Sequence, residues 1–221
     1  MKAFRALSTS VGSKFLVALT GLSLVGFLIV HLAGNLLILA GPDRFNHYSH
    51  ALISNPLVIP AELGLVVLLL LHVFKAIQHV VRGRVARPQS YAKQVWAGGP
   101  SRKSVGSATM AISGVIVLVF LILHIATLKY GAYYGAPREP GMRDLYRLVA
   151  ETFQSPGVVA FYLVSMVVIG LHLRHGISSA FQSLGLMTPG WTATVLSSGL
   201  CLAIILAVGF ALIPVWVYVA L

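Results

Sequence analysis

Charge is what this sequence has least of. Asp, Glu, Lys and Arg together make up 10% of the 221 residues, where a soluble domain carries about 25%. Acids are the scarcest, with 5 carboxylates against 16 Lys and Arg. With 57% apolar residues and a mean hydropathy of +0.89, a chain of 23.6 kDa cannot hide its apolar side chains in one soluble core. Soluble single-domain, disordered, collagenous and disulfide-rich classes are therefore excluded, and an integral membrane protein remains. Cysteine is nearly absent too. Cys201 stands alone inside an apolar run, so no intrachain disulfide, Cys-rich zinc site or Cys-ligated iron–sulfur cluster can be built. The lack of a C-x-x-C-H motif excludes a covalently attached c-type haem. Cys201 reads as a small packing residue. No nucleophile triad, phosphate loop or metalloprotease motif is visible, and neither is an internal repeat or low-complexity tract.

What is present is five long apolar runs, at about 15–40, 60–82, 105–128, 157–181 and 194–219. Each meets the roughly 20 apolar residues that a helix needs to cross a hydrocarbon core. The fold class expected is an all-α integral membrane protein, a single membrane domain over 1–221, with the first four helices forming the functional bundle. The first run is too long for a signal-peptide core and lacks a small-residue cleavage site, so it reads as a retained helix. The net charge of +11 invites a nucleic-acid reading, but the cations lie in short segments between apolar runs, which is a membrane-topology pattern. Lys2, Arg5, Lys14, Arg82, Arg84, Arg87, Lys93, Arg102 and Lys103 fall on one side. Arg44, Lys129, Arg138, Arg143 and Arg147 fall on the other, with all the acids: Asp43, Glu62, Glu139, Asp144 and Glu151. The positive-inside rule puts the first side in the cytoplasm, with the N-terminus inside and the C-terminus outside. The connections span 41–59, 83–104 and 129–156, and the stretch around 141–152 is a candidate short interfacial helix.

Histidine carries the chemistry. His31, His72, His79, His124, His172 and His175 all lie within apolar runs, where ionisable groups are rare and usually functional. The bland reading, a His satisfied by a neighbouring carbonyl or hydroxyl, suffices for one residue but strains over four helices. Helical rise sorts four of them by depth. His31 lies roughly 25 Å above Lys14, and His124 roughly 31 Å above Lys103. His72 lies about 15 Å above Arg82, and His172 about 15 Å above Gln182. Two levels result, each with one His from each of two helices, separated by about 10–16 Å. Two imidazoles facing each other at one depth are what a six-coordinate b-type haem requires.

Helical phase agrees with this grouping. His72, Lys75, His79 and Arg82 share a sector of the second run. His172, His175 and Ser179 share one on the fourth, Gly106, Ser113 and His124 on the third, and Thr20, His31 and Asn35 on the first. Small residues beside the His faces let a flat ring approach the backbone, and equally serve ordinary helix contacts. The fifth run has no His, Lys, Arg or acid and reads as scaffold or lipid-facing packing, with Pro214 tolerated as a kink.

Several blocks then resemble one family. TGL at 20–22 and HLAGN at 31–35, FNHYSH at 45–50, LLLLH at 68–72, ARP at 86–88 with Tyr91, SRKSVGS at 101–107, LVFLILH at 118–124 and HLRHGISSAFQSLG at 172–185 are similar to the dihaem cytochrome b anchor subunit of succinate:quinone oxidoreductases (complex II). The blocks cover most of residues 12–187 in order. The resemblance implies two b-type haems, with His31 and His124 on the distal one and His72 and His172 on the proximal one. It also implies a flavoprotein and an iron–sulfur protein on the cytoplasmic face of a bacterial inner membrane, and electrons passing from succinate to a quinone, usually menaquinone. Some relatives run in reverse as fumarate reductases.

Around that core sit secondary candidates. His175 is an alternative to His172, and His79 is shallow for a ligand. Haem propionates need cationic or hydroxyl partners, for which Lys75, Arg82, Arg102 and Arg174 are candidates, with His79 and His175 as further ones. Arg82 and Arg102 serve equally as topology anchors. A quinone site needs a protonatable group, and Glu62, the acid at the outer end of the second run, fits. A solvated charge favoured by the helix dipole is its competing reading. His47 and His50 lie in the outer loop before it. Three other functions compete: the cytochrome b of another quinone-linked dehydrogenase, a haem-free transporter using His as a relay, and a structural anchor without haem.

Overall fold

The computed structural model describes residues 9–86, 105–137 and 139–221, and for 105–108 the backbone alone. Five helices in it are long and apolar enough to cross a membrane, so the chain is a multi-pass membrane protein. They are α1 (Ser10–Asn35), α3 (Val58–Val85), α4 (Val105–His124), α6 (Pro156–Ser183) and α7 (Thr192–Ala220). Two shorter helices, α2 (Pro42–Ser54) and α5 (Leu145–Phe153), lie in the connections. Among the described residues the β-type pairing is one isolated bridge, Gly135 to Arg143.

Local chemistry sets the ends. The Thr9 side chain caps α1 by accepting from the Gly12 N–H at 3.1 Å. At its other end α1 tightens into a 3₁₀ turn over Leu36–Ala40, and Gly41 at φ +94° breaks the chain away. Pro42 then opens α2 at a position where a missing N–H costs nothing. Gly185, at φ +73°, follows the end of α6. The last turn of α4 widens into a π segment over Ile125–Lys129, a local feature frequent at functional sites. The observed spans run up to five residues beyond the sequence-based bounds. The 41–59 connection, expected as a loop, holds α2. Its signal was Gly41-Pro42-Asp43, a stop followed by a Pro at the first helical position and an acid in the first turn.

Packing puts α1 and α6 at the centre. The chief neighbour of α3 is α1, that of α4 is α6, and α7 lies against α6 most extensively and against α1 as well. The apolar core runs through Val25 and Leu32 of α1, Phe120 of α4, Tyr162, Met166, Ile169 and Leu173 of α6, and Ala203, Leu206 and Val217 of α7. No residue of α3 is fully buried, and α3 meets α4 at only a few points. A seam between α3 and α4 therefore leads in toward α1 and α6. Of the two readings of the fifth span, scaffold or lipid-facing packing, its contacts with α6 and α1 fit the first. Gly209 of α7 takes the side chain of Leu32 so closely that a Cβ there would come within 2.6 Å of it.

The bundle has a basic end, with Lys14, Arg82 and Arg84, and an opposite end that carries every acid. At that acidic end α2 and α5 form a cap. Buried Asn46 donates to Asp144 Oδ1 at 2.8 Å and accepts from the Tyr146 N–H at 2.9 Å. The Arg143 guanidinium donates to the carbonyls of Lys129, Gly131 and Ala132, tying the connection to the end of the π segment. Glu151 on α5 accepts from the Tyr134 hydroxyl at 2.6 Å and from Arg147 Nε at 2.7 Å. The Tyr134 bond first, and Arg147 second, hold its carboxyl below the ordinary value of 4.5. Since folding lowers this value, the contribution is present above pH 4.5 and is lost as pH falls through the lowered one. An NMR titration of Glu151 is expected to show a midpoint below 4.5, moving up in Tyr134→Phe. An unmoved midpoint in that variant would refute the assignment.

Candidate functional site

Four half-buried histidines, one from each of α1, α3, α4 and α6, line the bundle interior at two levels. At the level nearer the acidic end, His31 of α1 and His124 of α4 meet edge to face, with ring centroids 6.0 Å apart and planes at 88°. Each stacks on a Phe of its own helix: Phe27 at 5.1 Å from His31, and Phe120 at 5.5 Å from His124. Nδ1 of His124 lies 3.2 Å from the Tyr162 hydroxyl of α6. Asn35 sets its amide against the His31 ring at 3.3 Å while donating to the His31 carbonyl at 2.7 Å. Phe210 of α7 closes the far side, 5.8 Å from His31.

At the other level each histidine has a hydroxyl partner on a neighbouring helix. Nδ1 of His72 is 3.2 Å from Thr20 Oγ1 of α1, and Nδ1 of His172 is 3.1 Å from Ser113 Oγ of α4. A hydroxyl has one proton to give. Thr20 gives its own to the Leu16 carbonyl at 2.7 Å, and Ser113 to the Met110 carbonyl at 3.1 Å. Each hydroxyl thus stands as the partner of a ring Nδ1. A ring held at Nδ1 presents Nε2, the nitrogen that an axial metal ligand uses. The neighbouring glycines permit this closeness. A Cβ on Gly21 would sit 3.1 Å from His72 Cε1, and one on Gly114 would sit 3.6 Å from His172 Cε1.

The two levels share a pattern that the sequence reading passed over. Residues 20–31, TGLSLVGFLIVH, and 113–124, SGVIVLVFLILH, align without gaps, with Gly, Phe, Leu, Ile and His in common and Thr against Ser at the first position. The finding of no internal repeat is thus corrected. Eleven residues make just over three helical turns and a rise of roughly 16 Å. Each copy therefore carries its hydroxyl to one level and its His to the other, on nearly one face. Tyr162 was also missed, since a lone Tyr in an apolar run has no sequence signal.

The remaining candidates fall elsewhere. Lys75 donates to Gln78 on its own helix at 3.4 Å, and Arg174 is exposed. His175 is half-buried one turn beyond His172, and its ring makes no hydrogen bond with described residues. His79 and Arg82 line a small hollow at the basic end. Arg102 lies outside the described residues. Glu62 pairs with Lys129 across the starts and ends of α3 and α4, about 7 Å beyond His124 by helical rise. His47 pairs with Glu139 at 2.9 Å on the surface, and His50 lies 3.4 Å from Ser54.

Among the described residues no group of three or more His, Cys, Asp or Glu is placed to hold a bare metal ion. The arrangement is one of two-histidine sets. A metal–imidazole nitrogen bond of about 2 Å plus about 1.1 Å to the ring centre puts two rings on opposite sides of one metal roughly 6 Å apart. The 6.0 Å between His31 and His124 is close to that spacing. No protein-family model, curated protein or solved structure matches this chain.

Proposed function

We propose that this chain is the membrane-anchor cytochrome b subunit of a succinate:quinone oxidoreductase, holding two b-type haems between a cytoplasmic iron–sulfur partner and a quinone. The single observation that carries the reading is the approach of His31 and His124 to 6.0 Å between ring centroids, at a level distinct from His72 and His172. The resemblance of HLRHGISSAFQSLG at 172–185 to the family's block favours this cytochrome over that of another quinone-linked dehydrogenase.

His31 and His124 would hold the distal group, and His72 and His172 the proximal one. When bound, each haem supplies a one-electron carrier. The chain's own residues do the rest. Thr20 and Ser113 hold the His72 and His172 rings, and Tyr162 orients His124. The apolar core excludes water and lowers the local dielectric, which together with the axial ligands sets the potentials. Positive-inside charge places the basic end, with Arg82 and Arg84, in the cytoplasm, where the flavoprotein and iron–sulfur partners dock. Glu62 and Lys129 stand at the opposite end, where a carboxyl beside a cation can hold and exchange protons for menaquinone. Dicarboxylate chemistry belongs to the partner subunits, and the same arrangement serves fumarate reduction when run in reverse.

The test is a reduced-minus-oxidised spectrum of the purified chain with a haem count. Two low-spin b haems per chain are the expected result. A haem-free chain would refute the reading in favour of a His-relay transporter or a structural anchor. Two haems without stimulation of succinate–quinone activity on addition of the partner subunits would favour another dehydrogenase.

A further inference from the structure

Phe120 of α4, Phe153 of α5 and Phe161 and Tyr162 of α6 form one aromatic cluster beside His124. The Tyr162 ring is buried, at 7% exposed. It meets the three phenylalanines edge to face, Phe120 at 5.1 Å, Phe153 at 4.8 Å and Phe161 at 6.0 Å, the arrangement that aromatic pairs prefer. For packing alone, phenylalanine would serve at this position as it does at the other three. The one oxygen of the cluster stands where the imidazole is, 3.2 Å from His124 Nδ1. A buried phenol oxygen in an apolar bundle is costly unless it is hydrogen-bonded, and among the described residues its partner is His124.

The partners of the other three histidines have second duties. Thr20 and Ser113 also bond carbonyls of their own helices, as hydroxyls in apolar helices commonly do. Asn35 lies on the same helix as His31 and donates to its carbonyl. Tyr162 reaches His124 from a different helix and is held in place by rings alone. The closest of those rings is Phe153, buried at 3% exposed. It belongs to α5, the cap helix at the acidic end, so the cap reaches His124 through two rings.

We propose that Tyr162 is a positioning residue that sets the redox potential at the His31–His124 level by holding His124 at Nδ1, and that Phe153 of α5 fixes where its oxygen stands. This role rests on the haem reading. With a metal on Nε2, the proton of a neutral imidazole is on Nδ1, and the phenol oxygen accepts it in a hydrogen bond. That bond makes the ring a stronger donor and favours the oxidised metal. A redox titration of the haem-loaded chain, followed by its b-type absorbance, tests the role. The wave of this level is the one lost in His124→Ala. In Tyr162→Phe it is expected to move to higher potential, with the reduced-to-oxidised ratio at a given solution potential rising about three- to ten-fold, ten-fold being about 59 mV for one electron. The wave of the His72–His172 level should stay in place. Phe153→Leu keeps the oxygen but loosens the ring, and should move the same wave the same way by less. Tyr162→Phe removes one atom from a ring that keeps its other contacts, so the fold survives it. A lower unfolding temperature with both waves unmoved would reduce Tyr162 to a structural residue and overturn the proposal, as would equal movement of both waves. Movement in Tyr162→Phe with none in Phe153→Leu would overturn the part given to α5. A chain that takes up no haem would overturn the haem reading and this role with it, whereas unmoved waves from two haems overturn the role of Tyr162 alone.

Discussion

Alanine at His124 is expected, on the proposed reading of two haems, to remove about half of the b-type haem absorbance, one group of two, and to leave the other half reducible. Alanine at His31 should give the same spectrum, and the double variant no further loss, because the two rings stand 6.0 Å apart and would share one iron. Quinone reduction by the assembled complex should fall by at least about 100-fold, more than the loss typical of removing a supporting group. The same series decides the other level. His172→Ala is expected to remove the remaining half, and His175→Ala to keep it, because His172 is the ring turned onto Ser113. Independent, additive losses from His31 and His124 would show that they serve different groups. Unchanged spectra in both would remove histidine ligation at this level altogether.

The second large effect concerns hydroxyls that touch no iron. Thr20→Val removes the hydroxyl beside His72 Nδ1, and Ser113→Ala removes the one beside His172 Nδ1. Each is expected to weaken haem affinity at that level by about 10–100-fold, the usual cost of losing the group that orients a ligating His. The haem at the His31–His124 level should be undisturbed. Thr20→Ser should restore binding, since it keeps the oxygen and loses only a methyl. If the histidines were merely packed side chains, Thr20→Val would cost about 1–3 kcal/mol of stability and leave the spectrum untouched. A titration of the chain with haem at two wavelengths, alongside thermal unfolding, separates these results. Gly21→Val is a steric version of the same test. Its Cβ would already stand 3.1 Å from His72 Cε1, and the two added methyl groups would push the ring aside.

How far each feature was legible follows from the range of the interaction behind it. The five spans were plain because length and hydropathy are properties of single segments. The two histidine levels were legible because helical rise converts residue counts into depth. The repeat at 20–31 and 113–124 was also written in the chain, but five shared residues in twelve sit in apolar surroundings where such matches are common. Its meaning shows only when Thr20 meets His72 and Ser113 meets His172. The α2 helix was hidden by its mixed composition, and it is held by Tyr48 against Gly34 of α1 and by Asn46 against the far connection.

Taken alone, the amino-acid sequence determined that this chain is a multi-pass membrane protein, which five segments are long and apolar enough to cross, and how far apart the imidazoles stand along their helices. Hydrophobic run length and the fixed rise of a helix require no knowledge of neighbours. Which histidine meets which, which hydroxyl stands beside each ring, and that the fifth helix reaches the His31 ring through Phe210 were decided by the tertiary structure. Those outcomes depend on how helices rotate about their axes and which ones touch, and in an apolar solvent that is settled by close packing at small residues and by a few hydroxyls.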